Sequence, residues 1–374
     1  MQKTMPRIFV PLWHPPEAFE SGGLYRARRT LESMRGFFFE IGDSETSRLD
    51  ATRVPGRIRI YRARALYGRT RRTFAGFRIL NYLWSLSCLV YFGLRAKALD
   101  GVYVATSELP HVALAGWVVG KLRRVPIVFC NLNVRGVDLW FANRWLHRTV
   151  DAVLTISRAL AEELKAEGIS VPIFVGTVGV HDGSLPRADA PAYDAIFVGR
   201  HTAEKGVFDL MRAWTSVTRI RPGARLLMIG PVQSAIRARL ESEIVRLGLK
   251  GLVEIRGSVD EAAKWTAYAN AKVCLFPSYV EGFGIVPLEA HLAGLAVVAY
   301  DLPVYKETIE SSPAATLVAV GDIDAFAEAA CEAIRAYPDE RATTARSWAS
   351  AFSWDAAAAL ESRLLLQALR QGIL

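Results

Sequence analysis

Two glutamates bracket a short run with two glycines, Glu281-Gly282-Phe283-Gly284-Ile285-Val286-Pro287-Leu288-Glu289. Glycines let backbone N–H groups approach a ligand closely, and a helix N-terminus carries partial positive charge. Such a loop running into a helix suits an anion such as a pyrophosphate. Upstream stands Gly199-Arg200-His201-Thr202-Ala203-Glu204-Lys205-Gly206. Its two cations can neutralise the same kind of anion, Arg200 as a planar fork and Lys205 as a mobile point charge. A carboxylate beside a bound anion has another use: Glu289 can accept hydrogen bonds from neutral hydroxyls such as those of a ribose. Taken singly, these signals are weak. Either glutamate could simply complement a helix dipole, and a basic loop alone says little.

The surrounding residues supply elements to hold these groups. Residues 273–276 read as a buried strand. The glycine loop follows, then a helix with Pro287 near its first position and Gly294 at its end. Residues 295–300 form the next strand. The basic run follows a strand over 192–199, and in an α/β sheet ligands sit beyond the carboxyl ends of strands. Further strands are expected at 7–12, 101–105, 126–130, 152–156, 172–177, 225–229, 253–256 and 316–320. Helices are expected at 24–35, 109–123, 158–167 (with Ser157 as N-cap), 234–247, 261–270 and 323–336. This alternation predicts doubly wound, Rossmann-like α/β sheets. A chain of 374 residues that is 51% hydrophobic is long enough for two domains. The Pro- and Ala-rich stretch 184–193 reads as their linker. The expected division is 1–183 and 184–352, with a final helix over about 353–374 crossing back to the first domain.

The run from Glu281 to Ala290 resembles the Glu-x7-Glu signature of retaining glycosyltransferases of the GT-B fold, family GT4. The run from Gly199 to Gly206 is similar to that family's second signature, Gly-Arg-x4-Lys-Gly. The resemblance covers nearly the whole chain and is strongest over 196–307. It implies two Rossmann-like doubly wound domains facing a central cleft, with a nucleotide sugar bound mainly by the C-terminal one. It places Glu289 on the ribose and Glu281 by the donor sugar, with Gly282, Phe283, Gly284 and Ile285 against sugar and phosphates. Arg200 and Lys205 would stabilise charge on the leaving diphosphate. Gly22 and Gly23, at the first strand-to-helix turn, stand where the family's N-terminal glycine loop faces the donor phosphates.

One family feature is missing. Many relatives carry a histidine at the end of the strand matching 126–130, where this chain has Asn131-Leu132-Asn133. By order His111 is the nearest substitute, although a lone histidine at a helix start is more often structural. No second carboxylate is evident in the N-terminal domain, so the family implies front-face attack, with the leaving phosphate taking the acceptor proton. The Phe-Gly-Ile-Val-Pro-Leu-Glu string is similar to mannosyltransferases that use GDP-mannose; a UDP-sugar remains an alternative donor. Two other readings stay open: a GT-B enzyme of another reaction, such as a nucleotide-sugar epimerase or a sugar phosphorylase, and a non-enzymatic basic protein binding lipid or nucleic acid.

The formal net charge is +9, and it is unevenly placed. Residues 51–99 contain no Asp or Glu but many arginines, among them Arg69, Arg71 and Arg72. They flank an apolar run, 79–94, with Tyr82, Trp84, Tyr91 and Phe92, shorter than the ~20 residues a spanning helix needs. Arginines and aromatics beside an apolar helix suit an anionic membrane surface, with Arg69, Arg71, Arg72 and Trp84 as contacts. The plain alternative is a solvated basic face beside a core helix. No nucleic-acid recognition motif is present. The four cysteines lack metal-binding spacing and read as buried thiols of a reducing cytosol. Residues 1–10 lack the apolar core of a signal peptide. Asp322-Ile323-Asp324 looks like an Asp-x-Asp metal motif, but Asp322 precedes an apolar-periodic helix and reads as its N-cap. The expectation is therefore no metal and no cofactor, a nucleotide-sugar donor, a glycan or lipid-linked acceptor, and a cytoplasmic protein peripheral to the membrane.

Overall fold

The computed structural model describes residues 5–13, 22–46, 49–64, 75–107, 109–132, 140–180, 190–338 and 340–371. The chain forms two compact units, Met1–Gly179 with Trp354–Leu374, and Val180–Ser353.

The first unit opens with β1 (Arg7–Pro11), α1 (Gly22–Ser33), β2 (Phe38–Ser44), β3 (Arg57–Ala63) and α2 (Ala75–Arg95). It continues with β4 (Gly101–Val104), α3 (Pro110–Arg123), β5 (Ile127–Asn131), α4 (Trp140–His147), β6 (Ala152–Thr155), α5 (Arg158–Ala166) and β7 (Ile173–Val175). Its parallel sheet has the order β3-β2-β1-β4-β5-β6-β7. β4, β5 and β6 are buried along their whole length, as strands covered on both faces must be, which is why they read as unbroken apolar runs.

β2 and β3 carry no such run. β2 holds Glu40 and Asp43, both fully buried. Glu40 is matched by the Arg7 guanidinium at 2.8 Å and by the Tyr61 hydroxyl at 2.8 Å. β3 is an edge strand with Arg57, Arg59 and Arg62 exposed, a charged edge that discourages pairing with another chain.

The final helix, α13 (Trp354–Gln371), belongs to this unit. Arg26 of α1 donates to Glu361, which also accepts from the Tyr103 hydroxyl, and the other Arg26 nitrogen lies 3.2 Å from Cys130 Sγ. All four groups are buried, so α13 is held to α1 and the sheet by a charge pair shielded from water.

The second unit runs β8 (Tyr193–Val198), α6 (Val207–Ile220), β9 (Leu226–Ile229), α7 (Ser234–Arg246), β10 (Val253–Gly257), α8 (Glu261–Ala269) and β11 (Ala271–Phe276). Then come α9 (Ile285–Leu292), β12 (Ala296–Tyr300), α10 (Tyr305–Thr308), β13 (Ala315–Val318), α11 (Ile323–Ala336) and α12 (Glu340–Ala349), before α13 (Trp354–Gln371). The order β10-β9-β8-β11-β12-β13, all parallel, puts the reversal of strand order between β8 and β11. In the first sheet the reversal lies between β1 and β4. Ligands of open α/β sheets bind outside the carboxyl ends of strands at such a switch point.

Candidate active site

In the second unit the two switch-point strands deliver the two motif loops side by side. After β8, Arg200 is exposed and precedes a short 3-10 turn, Ala203–Lys205. Gly206 ends that turn at φ 67°, and a Cβ there would stand 1.8 Å from the Pro277 carbonyl oxygen. Only glycine permits both the left-handed backbone and this close approach. The loops are then bonded together: Tyr279 N–H donates to the Glu204 carbonyl at 2.8 Å. Lys205 Nζ donates to the Val280 carbonyl at 3.0 Å and pairs with the Glu281 carboxylate. The two side chains are only 14% and 12% exposed, so their attraction is weakly screened.

Beyond Glu281 the chain turns at Gly284, with φ 90° and no room for a Cβ beside the Tyr305 ring 2.7 Å away. α9 therefore starts at Ile285, with Pro287 as its third residue. The leading N–H groups of α9 have no helical partner and are available to an anion. Glu289, the fifth residue of α9, lies in its second turn. The side chain of Phe283 is buried edge-on to Phe352, ring centroids 6.1 Å apart, so this residue can meet a ligand only through its backbone.

Glu289 is buried, 4% exposed. One carboxylate oxygen accepts from Lys264 Nζ at 2.7 Å and the other from the Tyr268 hydroxyl at 3.1 Å, both on α8. Burial raises the Tyr268 phenol far above its ordinary range, so it remains a donor. A carboxylate offers about four lone-pair positions, so Glu289 retains acceptor capacity for the hydroxyls of a sugar. No motif in the sequence marks Lys264 or Tyr268; their partner is distant along the chain.

In the first unit Gly22 and Gly23 are the first residues of α1, following β1; residues 14–21 lie outside the described set. His111 is the second residue of α3, following β4, so both fall at the switch of that sheet. His111 is buried, its ring centroid 5.0 Å from that of Tyr82, and burial lowers its pKa to about 4, leaving it neutral at pH 7. At the end of β5, Asn131 Nδ2 and Ser107 Oγ each lie 3.1 Å from His147 Nε2, all three side chains buried. The imidazole at this strand end therefore comes from α4, a helix that the sequence pattern does not announce.

Among the described residues no group of three or more His, Cys, Asp or Glu side chains is placed to hold a metal ion. Asp322 caps α11, accepting from Ala325 N–H at 3.0 Å. Cys130, Cys274 and Cys331 are buried, Cys88 partly so, and none of the four is in a disulfide.

Arg69, Arg71 and Arg72 lie outside the described residues. Other arginines of the acid-free stretch pair with carboxylates outside it: Arg53 lies 3.3 Å from Asp50, Arg64 3.7 Å from Glu45 and Arg59 3.9 Å from Glu40. Trp84 is 41% exposed on α2, its indole N–H donating to the Arg64 carbonyl at 2.9 Å. Ile79, Leu80, Leu83, Tyr91 and Leu94 are exposed on the same helix. Phe92, expected among the surface aromatics, is buried and stacks on Tyr61 at 5.6 Å, because it lies on the α2 face turned to the sheet. No helix among the described residues is long and apolar enough to cross a membrane.

Residues 187–347 match the family model for glycosyl transferases group 1. The chain is 27% identical over 202 residues to the lipopolysaccharide core biosynthesis mannosyltransferase LpcC of Rhizobium leguminosarum bv. viciae, covering 50% of this chain and 55% of the relative. It is 35% identical over 185 residues to the phosphatidyl-myo-inositol mannosyltransferase of Mycobacterium leprae, covering 46% of each. The chain thus spans about half the length of these curated relatives. Among solved structures it is similar to sucrose-phosphate synthase from Thermosynechococcus elongatus, with a TM-score of 0.76 at 19% identity over 97% of this chain and 98% of the other. The architecture is the GT-B fold.

Proposed function

We propose that the protein is a metal-independent retaining glycosyltransferase of family GT4. It transfers a sugar from a nucleotide-sugar donor, GDP-mannose or a UDP-sugar, to a glycan or lipid-linked acceptor at the cytoplasmic surface of a membrane. The observation that carries this reading is the bonded pair of loops at the β8–β11 switch. It gathers Arg200, Lys205, Glu281 and the N-terminus of α9, with Glu289 held one helical turn further on. Breaking the bond from the anomeric carbon to the diphosphate oxygen places negative charge on the leaving group. Arg200, Lys205 and the leading amides of α9 stabilise that charge as it develops, in place of a cation. The acceptor hydroxyl attacks from the same face, and its proton passes to the departing phosphate oxygen.

The match of residues 187–347 supports the donor class, and the two mannosyltransferase relatives favour mannose as the sugar transferred. The exposed apolar face of α2, with Arg95 and Lys97 exposed at its end, supports a membrane-bound acceptor. A panel of nucleotide sugars, each with and without lipid extract, tests the reading. Transfer from one donor, released nucleoside diphosphate and full activity in EDTA are expected. Failure of every donor to yield transfer would refute it, and activity restored only by Mg²⁺ or Mn²⁺ would remove metal independence.

A further inference from the structure

We infer that Glu281 acts as an internal counter-ion that competes with the nucleoside diphosphate product for Lys205 and so drives product release. The inference rests on the glycosyltransferase reading above. A site that gathers cations and helix amides for a diphosphate has an obvious hazard: it also holds the product. A carboxylate in the same loop is unfavourable for diphosphate binding, yet Glu281 stands there, in contact with the very ammonium that the phosphates need.

The geometry gives that contact a definite form. Lys205 has three N–H donors. One goes to the Val280 carbonyl at 3.0 Å and one to Glu281. The Val280 carbonyl is part of the loop backbone, itself bonded to the basic turn through Tyr279 N–H and the Glu204 carbonyl at 2.8 Å, so it holds Nζ in place. The Glu281 contact is the exchangeable one. The ion pair is partly buried, which makes its attraction stronger than that of a surface pair.

Without ligand, Lys205 is neutralised by Glu281. With the donor bound, Glu281 has the sugar beside it, and its negative charge favours the cationic character that the anomeric carbon gains as the bond breaks. Once the sugar has left, Glu281 faces only the enlarged charge of the diphosphate. Repulsion of the product and recapture of Lys205 then act in the same direction. The carboxylate thus favours the transition state and disfavours the product complex, which separates its two effects on turnover.

Titration calorimetry with UDP and with GDP, no sugar attached, tests the inference on the whole 374-residue chain. Glu281→Gln keeps the shape and the hydrogen-bond acceptor but removes the charge. It should bind the preferred diphosphate ~5-fold or more tightly than the wild type, at the lower end of ordinary coupling between sites. Glu281→Asp, which keeps the charge, should stay near the wild-type affinity. In a Lys205→Met background, Glu281→Gln should tighten binding less, since the pair no longer exists. General damage to the loop would weaken binding, so a gain of affinity cannot come from misfolding. Unchanged or weaker binding by Glu281→Gln, while the wild type binds UDP or GDP, would overturn this inference alone. Absence of binding of either diphosphate to the wild type would overturn the glycosyltransferase reading beneath it.

Discussion

In the proposed reaction Lys205 and Arg200 act through charge, so their removal should be felt in turnover more than in folding. Lys205→Ala and Arg200→Ala are each expected to lower kcat by ~100-fold or more, as loss of one donor to a developing anion does. Steady-state kinetics on the identified donor checks this; wild-type kcat and donor KM in both variants would remove these residues from the site. Glu289 is different, because its carboxylate is buried and already bonded twice. Tyr268→Phe removes one neutral donor from a charged acceptor, with an expected stability loss of ~1.5–3 kcal/mol by urea titration and a weakened donor affinity. These two kinds of residue were not equally legible in the sequence. Arg200, Lys205, Glu281 and the glycines stand in short runs with recognisable spacing. Lys264, Tyr268 and His147 act on residues that are neighbours only after folding, so no spacing along the chain announces them.

At the scale of elements, apolar runs announced the central strands, because a parallel strand buried on both faces must be apolar throughout. β2 and β3 escaped for the converse reason. β2 hides buried carboxylates among its apolar residues, and β3 exposes an arginine edge. Pro287 marks the first turn of α9, where its missing N–H is tolerated, and the positive φ of Gly284 fixes where the chain turns into the helix. α13 was expected to return to the first unit, but what anchors it there, a buried Arg26–Glu361–Tyr103 group, could not be read from any local pattern. Glu361→Gln should therefore be costly for so conservative a change. It leaves the Arg26 guanidinium buried without its counter-charge, a loss of ~3–5 kcal/mol when one partner of a buried pair is removed. Urea unfolding followed by tryptophan fluorescence reads it, since Trp354 is in α13. A loss below ~1 kcal/mol, the value for an exposed pair, would show that the group does not anchor the helix.

For the molecule as a whole, the buried histidines set a response to acid. Burial lowers His111, His201 and His291 to about 4, below the ordinary 6.5 of the unfolded chain. Between these values the unfolded chain binds more protons. Stability is thus full above about pH 6.5 and falls as the pH drops toward about 4. The share of His111 reaches ~3 kcal/mol at most. His111→Phe should lose less stability between pH 7 and pH 5 than the wild type, read as the shift in thermal midpoint; equal shifts would show that His111 is not buried uncharged. A second whole-molecule prediction concerns the proposed membrane surface. The net charge of +9 favours an anionic surface, and α2 supplies an apolar face to meet it. Each basic residue near such a membrane contributes ~1 kcal/mol, so a few facing it give useful affinity. The apolar part is the side chains that α2 leaves in water, Leu80 and Leu83 at 58% and 54% exposure, whose replacement leaves the core untouched. Leu80→Ser with Leu83→Ser should therefore weaken sedimentation with anionic vesicles without lowering the thermal midpoint. Binding should also fall between low and high salt, as the Debye length shrinks from ~10 Å at 0.1 M to ~3 Å at 1 M. Replacing Arg69, Arg71 and Arg72 by Ser tests the electrostatic part in the same assay. Equal binding to neutral and anionic vesicles would rule out the electrostatic part, and binding to neither would rule out the membrane surface and direct the search to a water-soluble acceptor.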